Sequence, residues 1–447
     1  MDIQMLKQIL QENGIVGAGG AGFPTYAKLD ERAEIIIMNC AECEPLLKLH
    51  RQLLERHAKE ILSAFALIAK TVGAKEAVIG IKKEYKATLD ALHRYIEAYP
   101  EMRIQLLPSA YPMGDEVVLI YEATGRVIRP GGLPIEEGVA VFNVETVYNV
   151  YRALEGQTPV VDKLVTVVGE VEHPVTVRVP LGTTIEQTVR CAGEITAKEP
   201  VFLVGGPMMG NLAGADSVVT KTTNAVIVLE QTHALVQKKR HNAAIDLKRA
   251  ASSCCQCQTC TDLCPRHALG HPIEPHKFMR SAANQDFQET NVFLDTMFCS
   301  SCGLCEMYSC PQGLSPRSLI ADYKAGLRSA GVKPPAGVQP APVKESREYR
   351  RVPEKRLAAR LGLTQYDVEA PLQEDSYVTG TYPVGKVKLM FSQHIGAPAV
   401  PLVKAGTVVH KGEMIAQPGQ GLSVALHASI DGVVQKVEST YLVIVKK

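Results

Sequence analysis

Apolar positions along this chain change period several times, and each change predicts a different element. Ile3, Leu6, Ile9 and Leu10 share one helical face between Asp2 and Glu12, and Asn13-Gly14 supplies the stop. EIIIM from Glu34 to Met38 is a short continuous apolar run and predicts a buried strand. A helical pattern follows through Leu46, Leu49, Leu53 and Leu54 to about Lys70. From Leu164 to about Leu212 the pattern shortens to VTVVGEV, a turn at Glu172-His173-Pro174, VTVRVPLGTTI, a helix through Val189, then VFLVGGPMMG. Strand, hairpin, helix, strand in that order predicts a β-grasp fold. Thr232 to Ala251 predicts a polar, basic helix with solvent-facing charges, and Ser315 to Arg328 a further helix. Val332 to Pro342, with KPPAG and QPAP, is expected as a linker. Glu345 to Leu361 is charged and partly helix-compatible, interrupted by Pro353, and is expected to pack on the cysteine-rich unit or to bridge domains. Gly385 to Lys447 returns to strands separated by Gly-rich turns.

The chain has 447 residues, enough for three or four domains, and a formal net charge of +1. Such a balance gives no field to attract nucleic acid or anionic lipid, so a nucleic-acid partner is not expected. No run of about 18 apolar residues occurs, and Met1 to Leu10 lacks the regions of a signal peptide. No membrane insertion is expected. The 12 cysteines, clustered and without a secretory signal, point to a reducing compartment and to metal binding.

Cysteine spacing carries the strongest chemical signal. Cys254, Cys257, Cys260 and Cys264 form CxxCxxCxxxC before Pro265; Cys299, Cys302, Cys305 and Cys310 form CxxCxxCxxxxC before Pro311, one residue longer. Three thiolates two residues apart can wrap three irons of a cubane, and a distant cysteine reaches the fourth. In two-cluster ferredoxins that fourth cysteine serves the other cluster. The expected ligand sets are therefore Cys254, Cys257, Cys260 and Cys310 for one [4Fe-4S] centre, and Cys299, Cys302, Cys305 and Cys264 for the second. Zinc ribbons use paired CxxC units, and disulfides need an oxidising compartment, so both fit less well. Cys255 lies outside the repeat.

GIVGAGGAGFPTYAKL contains Gly17, Gly19 and Gly22 as a formal GxGxxG, but a helix precedes it and Phe23-Pro24 follows, which is not the dinucleotide-binding context. Its unobstructed N–H groups can still form a nest for phosphate. NCAECEP, Asn39 to Pro45, gathers polar groups at a strand end, where open α/β sheets place their ligands. Together with YPMGDEVVLIYEATGR from Tyr111, GGLP from Gly131 and FNVETVYNVY from Phe142, these five ordered motifs resemble the flavin- and NADH-binding module shared by the flavin subunit of respiratory complex I and the RnfC component of the Rnf complex. The resemblance implies FMN held by Gly17, Gly19, Gly20, Gly22, Lys28, Asn39, Glu42, the Gly114-Asp115-Glu116 turn and Asn143, with NADH stacking near Phe23 and Glu44. Ala41 and Cys43 depart from the complex I pattern NADEGEP and match the Rnf-type form instead.

The β-grasp stretch resembles the SLBB domain that follows the flavin module in those families, and nothing in its residues identifies a cobalamin site. Gly385 to Lys447 resembles the barrel-sandwich hybrid fold of lipoyl and biotinyl carriers, except that the loop GQGLS, Gly419 to Ser423, has no modifiable lysine; a structural or docking role is preferred. The expected architecture is multidomain, α/β and α+β: an FMN/NADH module over residues 1–158, an SLBB domain over 159–225, a ferredoxin-like domain over 226–330, a linker over 331–378 and a barrel-sandwich hybrid over 379–447. That order resembles the cobalamin-reductase family of propanediol-utilisation microcompartments. It implies transfer from NADH to FMN, through two [4Fe-4S] centres, to cobalamin as acceptor, Co(III) towards Co(I). Implied partners are a cobalamin adenosyltransferase and microcompartment shell proteins, and the implied location is cytoplasmic, inside the microcompartment. An RnfC-like electron-input subunit and a non-catalytic electron carrier of a microcompartment are the alternatives.

Overall fold

A computed structural model describes residues 1–374 and 384–446, so the boundary expected between residues 378 and 379 lies outside the described residues. The first unit is built on strands β1 (Ile35–Cys40), β2 (Glu76–Lys82), β3 (Met102–Leu107) and, after a two-residue strand β4 (Ala110–Tyr111), β5 (Val139–Asn143). They lie parallel in the order β3-β2-β1-β5. Ile36 and Met38 pack into one apolar layer, under the helices Ile3–Glu12, Ala58–Val72 and Val144–Glu155, and Ile37 into the other, under Glu116–Thr124. Burial on both faces is why β1 is continuously apolar rather than alternating. The order reverses between β1 and β5, which makes their carboxyl ends a topological switch point.

The helix expected up to Lys70 is two helices, Leu49–Arg56 and Ala58–Val72. His57 separates them, its ring stacked on Tyr148 at 4.5 Å and its Nε2 2.7 Å from Glu374. The helix expected over Thr232 to Ala251 is likewise divided into Ala234–Lys239 and Ala243–Ser253; Asn242 caps the second by accepting from the Ile245 N–H.

The β-grasp unit has β6 (Asp162–Gly169), β7 (Val175–Pro180), β8 (Pro200–Val204), β9 (Asn211–Ala213) and β10 (Ala225–Glu230), around a core of Val165, Val177, Ile185, Val226 and Val228. The cysteine-rich unit packs Phe278, Phe293 and Tyr323 between the helices Pro275–Asn284, Thr290–Leu294 and Pro316–Ser329.

The stretch expected as a linker is instead a strap joining three units. β11 (Val352–Pro353) pairs with β4, the helix Glu354–Arg360 follows, and β12 (Leu372–Gln373) adds to β7, giving the β-grasp sheet the order β12-β7-β6-β10-β8-β9. Proline content signalled a linker, but Val352, Leu357, Leu361 and Leu363 are buried. The expectation that Glu345 to Leu361 bridges domains fits this geometry.

The last unit has two sheets. One orders β13 (Lys386–Met390), β19 (Tyr441–Val445), β18 (Gly432–Val437) and β15 (Val408–Val409); the other orders β14 (Val400–Pro401), β16 (Met414–Gln417) and β17 (Leu426–His427). Its loop Gly419 to Ser423 is docked rather than displayed: Gln11 donates to the Ser423 carbonyl at 3.1 Å, and the Ala425 N–H donates to the Gln11 carbonyl at 3.0 Å. Among the described residues no helix is long and apolar enough to cross a membrane.

Candidate functional site

Asn39 and Asn143 are register partners at the carboxyl ends of β1 and β5, so the switch point carries two amide side chains. Asn39 donates to the Gly114 carbonyl at 3.0 Å and accepts from the Ala41 N–H at 3.1 Å. Asn143 caps the helix Val144–Glu155, accepting from the Glu145 N–H at 2.9 Å, while its amide nitrogen lies 3.1 Å from His50 Nε2. Glu42 is buried beside them; one carboxylate oxygen accepts from the His50 N–H at 3.1 Å, and the other, Oε1, has no hydrogen bond among the described residues, with His50 Nδ1 3.7 Å away. Burial pushes Glu42 up to about 7 and His50 down to about 4, so near neutral pH His50 is uncharged and Glu42 is readily protonated.

The glycine loop reaches the same place. The Ala18 N–H donates to Thr146 Oγ1 at 3.0 Å, in the first turn of the Val144–Glu155 helix, and the Gly17 N–H to the Phe23 carbonyl at 2.9 Å. Gly20 and Gly22 have φ of +62° and +65°, which disfavours side-chain-bearing residues there, and the Gly22 N–H closes the turn on the Gly19 carbonyl at 3.4 Å. Gly19 directly precedes Gly20 in the chain. Lys28 donates to Glu116 Oε1 at 3.0 Å and to the Val141 carbonyl at 2.9 Å, and its ammonium sits 5.9 Å over the Phe23 ring. Gly114 packs so close that a Cβ would come 2.6 Å from the Ala41 carbonyl. Glycine N–H groups for a phosphate, amides for ring edges, and the sealed orphans Glu42 Oε1 and Thr25 Oγ1 form a donor set that fits FMN.

Two of the sequence-derived residues face elsewhere. Asp115 caps the helix Glu116–Thr124 and holds Arg266 of the cysteine-rich unit at 2.9 Å. Glu44 accepts from the N–H groups of Met208 and Met209 at 2.8 and 2.9 Å, so it binds the GGPMMG loop of the β-grasp unit; burial pushes it up to about 7.

The structure brings the cysteines together as two fours. Cys254, Cys257, Cys260 and Cys310 line one cleft, and each of the other three sulfurs raises the Cys260 thiol electrostatically on top of its burial. Cys264, Cys299, Cys302 and Cys305 are coupled in the same way. Among the described residues no three His, Cys, Asp or Glu side chains close on a single ion; the sulfurs interact across a wider ring. Both runs place left-handed residues two and four positions after the first cysteine, Gln256 and Gln258 in one, Ser301 and Gly303 in the other. These turns aim donors at sulfur: the Ser301 N–H donates to Cys299 Sγ at 3.3 Å, Thr259 Oγ1 to Cys257 Sγ at 3.4 Å. The extra residue of the second run is absorbed in a π-helical turn, Cys305–Ser309, where the first run has an α-helical turn, Thr259–Asp262. Sulfurs hydrogen-bonded in two fours fit iron–sulfur centres.

Sequence reasoning missed the residues that join these regions. Tyr111, buried, donates from its hydroxyl to the Cys302 carbonyl at 2.6 Å, three residues before Gly114. Lys82, fully buried at the end of β2, is paired with Glu354 of the strap and donates to the Glu42 carbonyl. Tyr111 opens one of the five flavin-module motifs and was readable as a candidate; Lys82 carried no signal, because its partner lies 272 residues away.

Comparison with known families adds to the geometry. Residues 10–152 match the Nuo51 FMN-binding domain, 164–212 the SLBB domain, 253–315 the 4Fe-4S dicluster domain and 369–447 the RnfC barrel sandwich hybrid domain. The chain is 38% identical over 447 residues to cobalamin reductase PduS of Citrobacter freundii, covering 100% of this chain and 97% of that protein. Against cobalamin reductase PduS of Salmonella typhimurium strain LT2 it is 40% identical over 444 residues, 99% and 96% of the two chains. Over 266 residues it is 31% identical to a component of the ion-translocating oxidoreductase complex of Edwardsiella ictaluri, covering 58% of this chain but 32% of that protein. With both PduS proteins aligned along almost their whole length and all four domain matches in place, this chain belongs to the cobalamin reductase PduS family.

Proposed function

We propose that this protein is an NADH-dependent cobalamin reductase, passing electrons by way of FMN and two [4Fe-4S] centres to cobalamin, Co(III) to Co(II) and Co(I), for coenzyme B12 recycling in propanediol utilisation. Bound flavin and iron–sulfur centres supply the conversion of a two-electron donor into one-electron steps, which nicotinamide cannot make alone. The chain's own part is to hold and space these groups. Gly17, Gly19, Gly20 and Gly22 would cradle the flavin phosphate, Gly17 and Gly22 by closing the loop with their N–H bonds to the Phe23 and Gly19 carbonyls and Gly19 and Gly20 by backbone open to a ligand; Lys28, Asn39, Glu42, Gly114, Glu116 and Asn143 would hold its ring; Asp115 acts indirectly, by fixing Arg266 and with it the first cysteine run. Phe23 is the surface left for nicotinamide stacking, since Glu44 is engaged by Met208 and Met209. The crossover fours hold the two clusters. A cobalamin adenosyltransferase and shell proteins are the proposed partners, in a cytoplasmic microcompartment.

One observation carries this reading above the electron-input alternative: identity of 38% to 40% runs along the whole chain for the two cobalamin reductases. The Tyr111 contact supports the order flavin first, then the four containing Cys302. The test is anaerobic, with FMN- and cluster-loaded protein, NADH and cob(III)alamin followed by visible spectrum, alongside Cys299→Ala. Cobalamin reduction lost in the variant, with NADH-to-dye turnover kept, is the expected result. Flavin and clusters that NADH reduces while the corrinoid stays oxidised would overturn it in favour of an electron-input role.

A further inference from the structure

The π-helical turn that starts at Cys305 forms the floor of a separate cavity of about 330 Å³, away from the switch point. Its walls are the edge strand β9, the break between the helices Ala234–Lys239 and Ala243–Ser253, and the first turns of the helix Pro316–Ser329. The acidic side chains there have hydrogen-bond partners of their own. Both Glu306 oxygens are taken by Ser318, one by its N–H at 2.8 Å and one by its hydroxyl at 3.0 Å. His241 is clamped between Asp246 at 2.5 Å and Asp322 at 2.6 Å; burial opposes its charge, but the two carboxylates outweigh it.

Two cations there have no hydrogen bond to a carboxylate, although Glu44 and Glu306 act on Lys239 at longer range. Lys239 donates only to the Gly210 and Met208 carbonyls, at 2.6 and 3.3 Å, and burial pushes it down to about 8. Arg317 has no hydrogen bond or ion pair among the described residues, and its Nε is sealed from solvent without a partner. A guanidinium fork and an ammonium converging on a concave polar space are the groups that bind phosphate, the first bidentately and the second as a point charge. The volume is at the small end of small-molecule sites, of the order of a mononucleotide.

We propose that this cavity binds a phosphate-bearing small molecule, with its phosphate between Arg317 and Lys239 and the remainder along β9. Because Glu306 and Met307 line the cavity, the ligand would lie against the Cys305 turn; that adjacency to a redox centre rests on the iron–sulfur reading, whereas the binding itself does not.

The test uses FMN- and cluster-loaded full chain with inorganic phosphate and AMP as probes, measured by calorimetry and by ³¹P relaxation before and after dithionite reduction. Saturable binding at one site per chain is expected, weakened about ten-fold or more by Arg317→Gln at unchanged flavin and iron content. Tighter binding of AMP than of phosphate assigns the space along β9 to a nucleoside; equal affinities assign the site to the phosphate group alone. Should Arg317→Gln misfold, Asn211→Glu on the exposed rim opposes an anion by charge and is expected to weaken both probes. Absence of saturable binding, or affinities unchanged in both variants, overturns the site. Binding without faster ³¹P relaxation on reduction overturns the adjacency of the ligand to a redox centre at Cys305 and leaves the anion site standing.

Discussion

The two cysteine fours share the CxxCxxC core of their runs and live in opposite surroundings. In the outer four Cys257 is exposed and the others are partly buried, in a loop of left-handed glutamines. In the inner four Cys302 and Cys305 are buried, Tyr111 holds the Cys302 carbonyl, Gly131 packs on Phe298, and the helix Glu354–Arg360 covers the Cys305 turn. Low dielectric disfavours added negative charge, while exposure and donors to sulfur ease it. Two similar sequences can therefore hold centres of different potential, and the environment orders them: the buried site nearer the switch point, the exposed one nearer any external acceptor.

Replacing one cysteine in each four gives the largest contrast. Cys302→Ser and Cys257→Ser should each lose about half the iron, but only Cys302→Ser, which buries a new hydroxyl, should also lower the thermal midpoint; equal midpoints would erase the distinction. The strap provides the next step down. Glu354→Ala leaves Lys82 buried without its carboxylate and should cost about 3 kcal/mol in urea unfolding. Its counterpart at the outer four, Arg350 with Asp262 at 3.3 Å, is nearly half exposed, and Arg350→Ala should cost less than about 1 kcal/mol. Tyr111→Phe should cost about 1 kcal/mol for one buried hydrogen bond. It should move the potential of the inner centre alone in an EPR-monitored titration; a shift at both centres, or at the outer one, breaks the assignment of Tyr111 to the inner four.

What could be read from sequence follows from range. Spacing within a short run singled out the eight cysteines and a strand end singled out Asn39 and Glu42, because each pattern is local; Gly114 and Asn143 came from the resemblance to flavin modules. Glu44 was grouped with the nicotinamide site by the same logic, yet the Met208 and Met209 N–H groups that hold it lie more than 160 residues on. Period also failed at His57 and His241, each of which interrupts a helical pattern to reach Glu374 or Asp322 far along the chain. The strap was mistaken for a linker because its prolines are local, while the strands it pairs with are not.

That strap also fixes a timetable for biogenesis. Domains tend to fold in order as they leave the ribosome, at ~5–20 residues per second. The flavin module and the β-grasp sheet have all their own strands by Glu230, yet β4 and β7 gain their last neighbours, and Lys82 its counter-charge, only when Val352, Glu354 and Leu372 have been made. For on the order of ten seconds the nascent protein presents one open sheet edge at β7, an unpaired β4 and an uncompensated lysine. The cysteines of both fours emerge during that interval, while the first unit of the chain is still unsealed.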